Sequence, residues 1–103
     1  MRRVIESRIY DTEKADRVAV WENGFFANDF YAVTETLYRT GKGQWFLHGE
    51  GGALTRWSRP LGSNGRGGGE GIVVLSPSEA LEWCEAREID ADLIANHFQV
   101  EEA

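Results

Sequence analysis

The chain predicts an α+β fold, an antiparallel sheet of four to five strands with a central hairpin, packed by one or two C-terminal helices. Three observations point there. Residues 35–52 hold two runs rich in Thr, aromatic and aliphatic residues on either side of Gly41-Lys42-Gly43, the pattern of a β-hairpin. Residues 17–22, Arg-Val-Ala-Val-Trp-Glu, fit a half-buried strand. The clear helix starts, Ser76-Pro77-Ser78-Glu79 and Asp90, come after all the strands, so strands and helices are segregated rather than alternating.

In order, Val4 to Tyr10 reads as a first strand ending at Asp11-Thr12-Glu13, and Arg17 to Glu22 as a second. Asn23-Gly24 is the strongest two-residue turn signal. Phe25 to Tyr31 is an aromatic loop, favoured as a lid over the core rather than an exposed stacking platform, because large aromatics tend to be buried. The third strand runs to Thr40. A three-residue Gly41-Lys42-Gly43 loop sets Leu37 opposite Leu47 and Tyr38 opposite Phe46, whereas a two-residue turn sets Tyr38 opposite Trp45, and both remain open.

Residues 53–59 are expected to make one or two helical turns before Pro60 stops them. Residues 62–71 form a flexible Gly-rich loop by composition. Ile72-Val73-Val74-Leu75 is a short apolar strand, expected to be central in the sheet. Ser76 then caps a helix, with Pro77 at the first helical position and Glu79 completing a capping box. At about 100° per residue, Pro77, Ala80, Leu81 and Cys84 share one face and Glu79, Glu82 and Glu85 the opposite one, with Trp83 at the border. Asp90 caps a last helix over 91–98, whose Leu93, Ile94 and Phe98 return to the core.

A length of 103 residues implies a single domain over 1–103. Met1-Arg2-Arg3-Val4-Ile5-Glu6 meets charge before any apolar signal core forms, and no run approaches the ~20 apolar residues of a membrane span. One cysteine, Cys84, allows no internal disulfide and suits a reducing compartment. The expectation is a soluble, cytoplasmic protein with no membrane contact.

Little in the chain suggests catalysis. The 62–71 glycines lack the Lys-Ser or Lys-Thr and the following helix of a phosphate loop. His48, His97 and Cys84 have no metal-ligand spacing, so neither metal nor cofactor is expected. Cys84 falls on an apolar helix face and reads as a buried thiol. Ser58, Ser63 and Ser76 lack a nucleophile-elbow context. Glu35 and Glu50, on or just past paired strands, are the one carboxylate pair to weigh for acid–base work, and carry little weight in a sheet protein.

Charge is more informative. Of the 17 acids and 11 bases behind the net charge of −6, nine acids and one base, Arg87, fall in residues 70–103. Surface helices ordinarily mix signs. An unbalanced acidic face argues against nucleic-acid binding by the whole chain and suits a basic protein surface.

Several segments carry a resemblance: Tyr10-Asp11-Thr12-Glu13, Glu35-Thr36-Leu37-Tyr38-Arg39-Thr40, Gly43-x-Trp45-Phe46-Leu47-x-Gly49-Glu50-Gly51-Gly52, and Leu75-Ser76-Pro77-x-Glu79-Ala80-x-x-Trp83. Together they resemble a group of small acidic proteins found on bacterial plasmids, integrative elements and prophages. The resemblance implies a setting, not an activity, and carries over no site residues. Motif-poor acidic proteins of mobile elements often disable host machinery, with anti-CRISPR proteins the leading case.

The expected function is therefore a non-enzymatic inhibitor that binds a host protein, with a CRISPR effector subunit as the concrete partner. Glu79, Glu82, Glu85, Glu88, Asp90 and Asp92 would supply the acidic surface, and Trp57 and Phe25 the exposed anchors. The alternative is a small single-stranded nucleic-acid or nucleotide-binding module built on Arg2, Arg3, Arg8, Arg17, Arg39 and Lys42 with aromatics on the sheet.

Overall fold

Gly41-Lys42-Gly43 reverses the chain between β4 (Val33–Arg39) and β5 (Trp45–Gly51), with Gly43 at φ +85°. The Thr40 N–H donates to the Gln44 carbonyl at 2.8 Å, and the Gln44 N–H to Thr40 Oγ1 at 3.0 Å. This is the three-residue loop. It sets Leu37 opposite Leu47, Tyr38 opposite Phe46 and Arg39 opposite Trp45.

The computed structural model describes residues 1–103 and gives the α+β class. Around the hairpin, β3 (Asp16–Glu22) pairs with β4, and β8 (Gly69–Leu75) with β5, in an antiparallel sheet of order β3-β4-β5-β8. Two ribbons flank it: β1 (Arg2–Ile5) with β2 (Arg8–Asp11), and β6 (Arg59–Pro60) with β7 (Arg66–Gly67). Helices α1 (Pro77–Ala86) and α2 (Ala91–His97) follow. None is long and apolar enough to cross a membrane.

The helices cover one sheet face. Val18, Ala19, Leu37, Trp45, Leu47 and Trp57 pack there with Ala80 and Cys84 of α1, and Leu93, Ile94 and Phe98 close the rim. Phe98 stacks on Trp45 at 4.7 Å between ring centroids. Strand alternation sends Phe46 to the other face, where Tyr38 stacks on it at 5.1 Å and Tyr10 meets it edge-on at 5.5 Å. The body measures 49 × 33 × 20 Å, thin enough that only 14 of 103 residues are buried.

Both helix starts form as expected. Ser76 Oγ accepts from the Glu79 N–H at 3.1 Å, and Glu79 Oε1 accepts from the Ser76 N–H at 2.8 Å, a complete capping box. Asp90 Oδ1 accepts from the Asp92 and Leu93 N–H groups at 2.8 and 3.3 Å.

Several elements differ from expectation. Val4 to Tyr10 is not one strand but a tight hairpin turning at Glu6 (φ 50°) and Ser7 (φ 65°), left-handed at both positions as a two-residue hairpin turn requires. Its apolar residues gave no warning because neither turn residue is glycine. Asn23-Gly24 does not close a two-residue turn. The Asn23 side chain instead spans a longer loop, donating to the Tyr31 carbonyl at 2.6 Å and accepting from the Val33 N–H at 3.1 Å. Residues 53–58 form turns and Arg59 opens β6, so the segment is not a helix; Thr55 Oγ1 donates to the Gly52 carbonyl at 2.9 Å and accepts from the Trp57 N–H at 3.2 Å. Residues 62–71 contain β7 and the first residues of β8. Finally, β8 is an edge strand rather than a central one. An apolar run reports contact with a core and not a place in the sheet: Val73 and Leu75 pack on the core from the edge position.

Candidate partner-binding surface

The charge pattern of the C-terminal half is set by one buried carboxylate. Glu35 sits in mid-β4, 1% exposed, on the helix-covered face. Its Oε2 accepts from Trp57 Nε1 at 2.9 Å, and its Oε1 from Trp83 Nε1 at 2.9 Å and Arg87 Nη2 at 3.1 Å. Burial works to raise the Glu35 pKa, but the two indole donors and the Arg87 hydrogen bond and charge outweigh it and hold the carboxyl below its ordinary value. The group is therefore a structural anion inside the protein, with its oxygens already engaged.

Trp57 reaches Glu35 only because Gly49 has no side chain. A Cβ on Gly49 would lie 1.9 Å from Trp57 Cε2, so the indole lies flat on the β5 backbone. Trp83 comes from the border of α1, and Arg87 is the C-cap of that helix. Arg87 also lies over the Trp21 ring of β3, 3.7 Å from its centroid.

Arg87 is the one base in residues 70–103, and it points inward. Glu79, Glu82, Glu85, Glu88, Asp90 and Asp92 are all exposed, and none has a cation within ion-pairing distance. Glu79 is the most locally committed of them. Its bonds to the Ser76 backbone and side chain lower its pKa. The outer side of α1 and the start of α2 thus present uncompensated negative charge.

The aromatic loop after β3 lies on the surface. Phe25, Phe26, Phe30 and Tyr31 are 55%, 86%, 65% and 55% exposed, which corrects the expectation of a core lid. The core cluster is made by Trp57, the strands and the two helices and takes in none of the four loop aromatics. The loop is nonetheless held in shape. Besides the Asn23 bonds, Asp29 Oδ1 accepts from the Tyr31 N–H at 2.8 Å, and the Leu54 N–H donates to the Phe30 carbonyl at 3.0 Å. Gly52 passes so close that a Cβ would meet the Asp29 and Phe30 carbonyl oxygens at 2.5 Å. The loop leaves β3 just past Trp21, the residue under Arg87, so it starts beside the C-terminal end of α1.

Of the two expected anchors, Phe25 is exposed and Trp57 is not. Trp57 is 7% exposed and serves the interior as a donor to Glu35. Phe26 and Phe30, missed as anchors, are the more exposed aromatics. The cluster of four aromatics within seven residues was the available signal, set aside on the general tendency of such residues to be buried.

Other candidates are dispersed. Glu35 and Glu50 lie on opposite sheet faces, because Thr34 and not Glu35 pairs with Glu50. His48 bonds Glu70 at 2.8 Å, and His97 lies beside Trp45. Cys84 is buried, and desolvation, with the nearby Glu85 charge, pushes its thiol pKa up. A cleft of about 650 Å³ between the aromatic loop and the β6–β7 ribbon carries Asp29, Glu50 and Arg66, with Arg66 Nε bound to Ser58 Oγ at 2.7 Å.

Comparison with known protein families, with characterised proteins and with solved structures gives no match to this chain.

Proposed function

We propose that the protein is a non-enzymatic inhibitor, encoded by a mobile genetic element, that binds a basic surface of a host protein, most concretely an anti-CRISPR protein that covers the nucleic-acid-binding site of a CRISPR effector. The observation that carries this reading is the inward commitment of Arg87, which leaves the six exposed carboxylates of residues 79–92, on α1, its connection to α2 and the start of α2, without a counter-charge. A surface of this kind matches a groove evolved to hold phosphates. The pinned aromatic loop, which starts beside the C-terminal end of α1, supplies exposed apolar anchors of the kind that carry binding hot spots. Shape held before binding reduces the ordering cost of association.

The test is capture of effector subunits from lysates carrying active CRISPR systems, at low and high salt, with the wild type and with Glu82→Lys/Glu85→Lys. Retention of a subunit at low salt, its loss at high salt and its loss on charge reversal support the reading. Binding and inhibition unchanged by charge reversal would overturn its electrostatic basis.

One observation favours the nucleic-acid alternative. Arg8 and Lys42 line one cleft of about 600 Å³ between the β1–β2 ribbon and the β4–β5 turn, with Tyr10 in its wall, and Arg2 and Lys14 line the adjoining one. A gel-shift titration with single-stranded DNA decides it, and a shift lost in Arg8→Glu/Lys42→Glu would promote that reading over the first.

A further inference from the structure

The two edges of the sheet are built differently. The β3 edge is guarded. A bulge interrupts its register between Arg17 and Ala19, and Asp16, Arg17 and Glu22 bring charge to its ends. The β8 edge has none of these devices. It keeps unbroken register with β5 over its seven residues, Gly-Glu-Gly-Ile-Val-Val-Leu, with no bulge, no proline, no lysine and one charge, Glu70.

Hydrogen-bond alternation identifies which backbone groups stand free. The Thr40–Gln44 and Ala32–Gly52 bonds put the even-numbered residues of β4 and β5 in bonded pairs with each other. The odd-numbered residues of β5 therefore bond β8 through Gly69, Gly71, Val73 and Leu75, and the N–H and C=O groups of Glu70, Ile72 and Val74 turn outward. No turn, loop or side chain takes them up.

We infer that β8 is a pairing edge for a second copy of this chain, joined antiparallel about a two-fold axis at Ile72. In that register Ile72 meets Ile72 and Glu70 meets Val74, so every outward backbone group finds a partner and no like charges are set opposite one another. The glycines at 69 and 71 fall opposite Leu75 and Val73. The seam joins two four-stranded sheets into one and removes the unguarded edge. It does not rest on the proposed partner, and its salt response has the opposite sign. Each copy carries −6, so screening strengthens self-pairing while weakening binding to a basic protein.

Sedimentation of the full chain from micromolar to near-millimolar concentration, at low and high salt, tests this. The expected result is a rise from one to two chain masses, reached at lower concentration in high salt, with amide exchange at Glu70, Ile72 and Val74 slowing as the dimer forms. Ile72→Pro deletes one outward N–H and no ladder bond, and is expected to return the chain to a single mass with its circular dichroism retained. A single mass at every concentration and salt overturns the proposal. So does a dimer whose Glu70, Ile72 and Val74 amides exchange no more slowly than in the monomer, a readout that holds even if the proline variant fails to fold.

Discussion

Arg87 donates to Glu35 at 3.1 Å across 52 positions of sequence, and to no acid of its own helix. One contact thus serves two ends. It neutralises a carboxylate buried in mid-sheet, and it removes from the surface the cation that would otherwise offset the acids of α1 and α2.

Substituting Glu35 by Gln should destabilise the fold by about 3–5 kcal/mol, the scale for breaking a buried charge pair. The amide keeps one acceptor oxygen but turns an NH₂ toward an indole or guanidinium donor, and leaves Arg87 without its counter-ion. Trp83→Phe, which removes one charge-assisted bond, should cost less, about 1.5–3 kcal/mol. Urea denaturation of the three proteins orders them, and equal stability of wild type and Glu35→Gln would contradict the anchoring role.

Stability should fall in acid with a definite sign. The Glu35 pKa is lower folded than unfolded, so the unfolded chain binds more protons as pH drops, and the native state loses this contribution below the ordinary glutamate pKa of about 4.3. Above that value the contribution is complete and flat. Glu79 acts in the same direction through its cap. Glu35→Gln should therefore flatten, without abolishing, the acid limb of urea midpoint against pH.

Gly49→Ala should be among the most damaging single methyl additions. The new Cβ would fall 1.9 Å from Trp57 Cε2, so the indole must leave both β5 and Glu35, costing the packing penalty of about 1–3 kcal/mol and a buried hydrogen bond besides. Thermal melting and a red shift in tryptophan emission report it.

Phe26→Ala should leave the fold within about 0.5 kcal/mol, because the ring is 86% exposed. If the loop anchors a partner, Phe25→Ala/Phe26→Ala should weaken that complex by about 2 kcal/mol or more, roughly thirtyfold. Calorimetric melting and a binding isotherm for the same variant separate the two effects.

Local order was readable wherever local chemistry decides it. The capping box at Ser76 and Glu79 and the Asp90 cap follow from side chains a few residues apart competing for defined backbone groups. The hairpin was legible too, but its Leu37–Leu47 register was decided only by the three-residue loop of the structure. The β1–β2 turn escaped because Glu6 and Ser7 hold left-handed backbone without the glycine that usually marks it. The outward Phe25 to Tyr31 loop escaped for another reason. Burial depends on what else reaches the core, and Trp57, arriving from a segment read as helix, takes a place in the core cluster that none of the loop aromatics shares.

The amino-acid order alone determined the α+β class, the two capped helices and the charge imbalance of residues 70–103, because propensity, capping and net charge are properties of neighbours and of composition. Tertiary structure decided which way that charge faces. Glu35, Trp57, Trp83 and Arg87 are 22 to 52 positions apart in the bonds they share, and no periodicity links them. Only the folded sheet, with Gly49 leaving room for an indole, brings them to one carboxylate, and only then does the sole C-terminal arginine turn inward and leave the acids unbalanced.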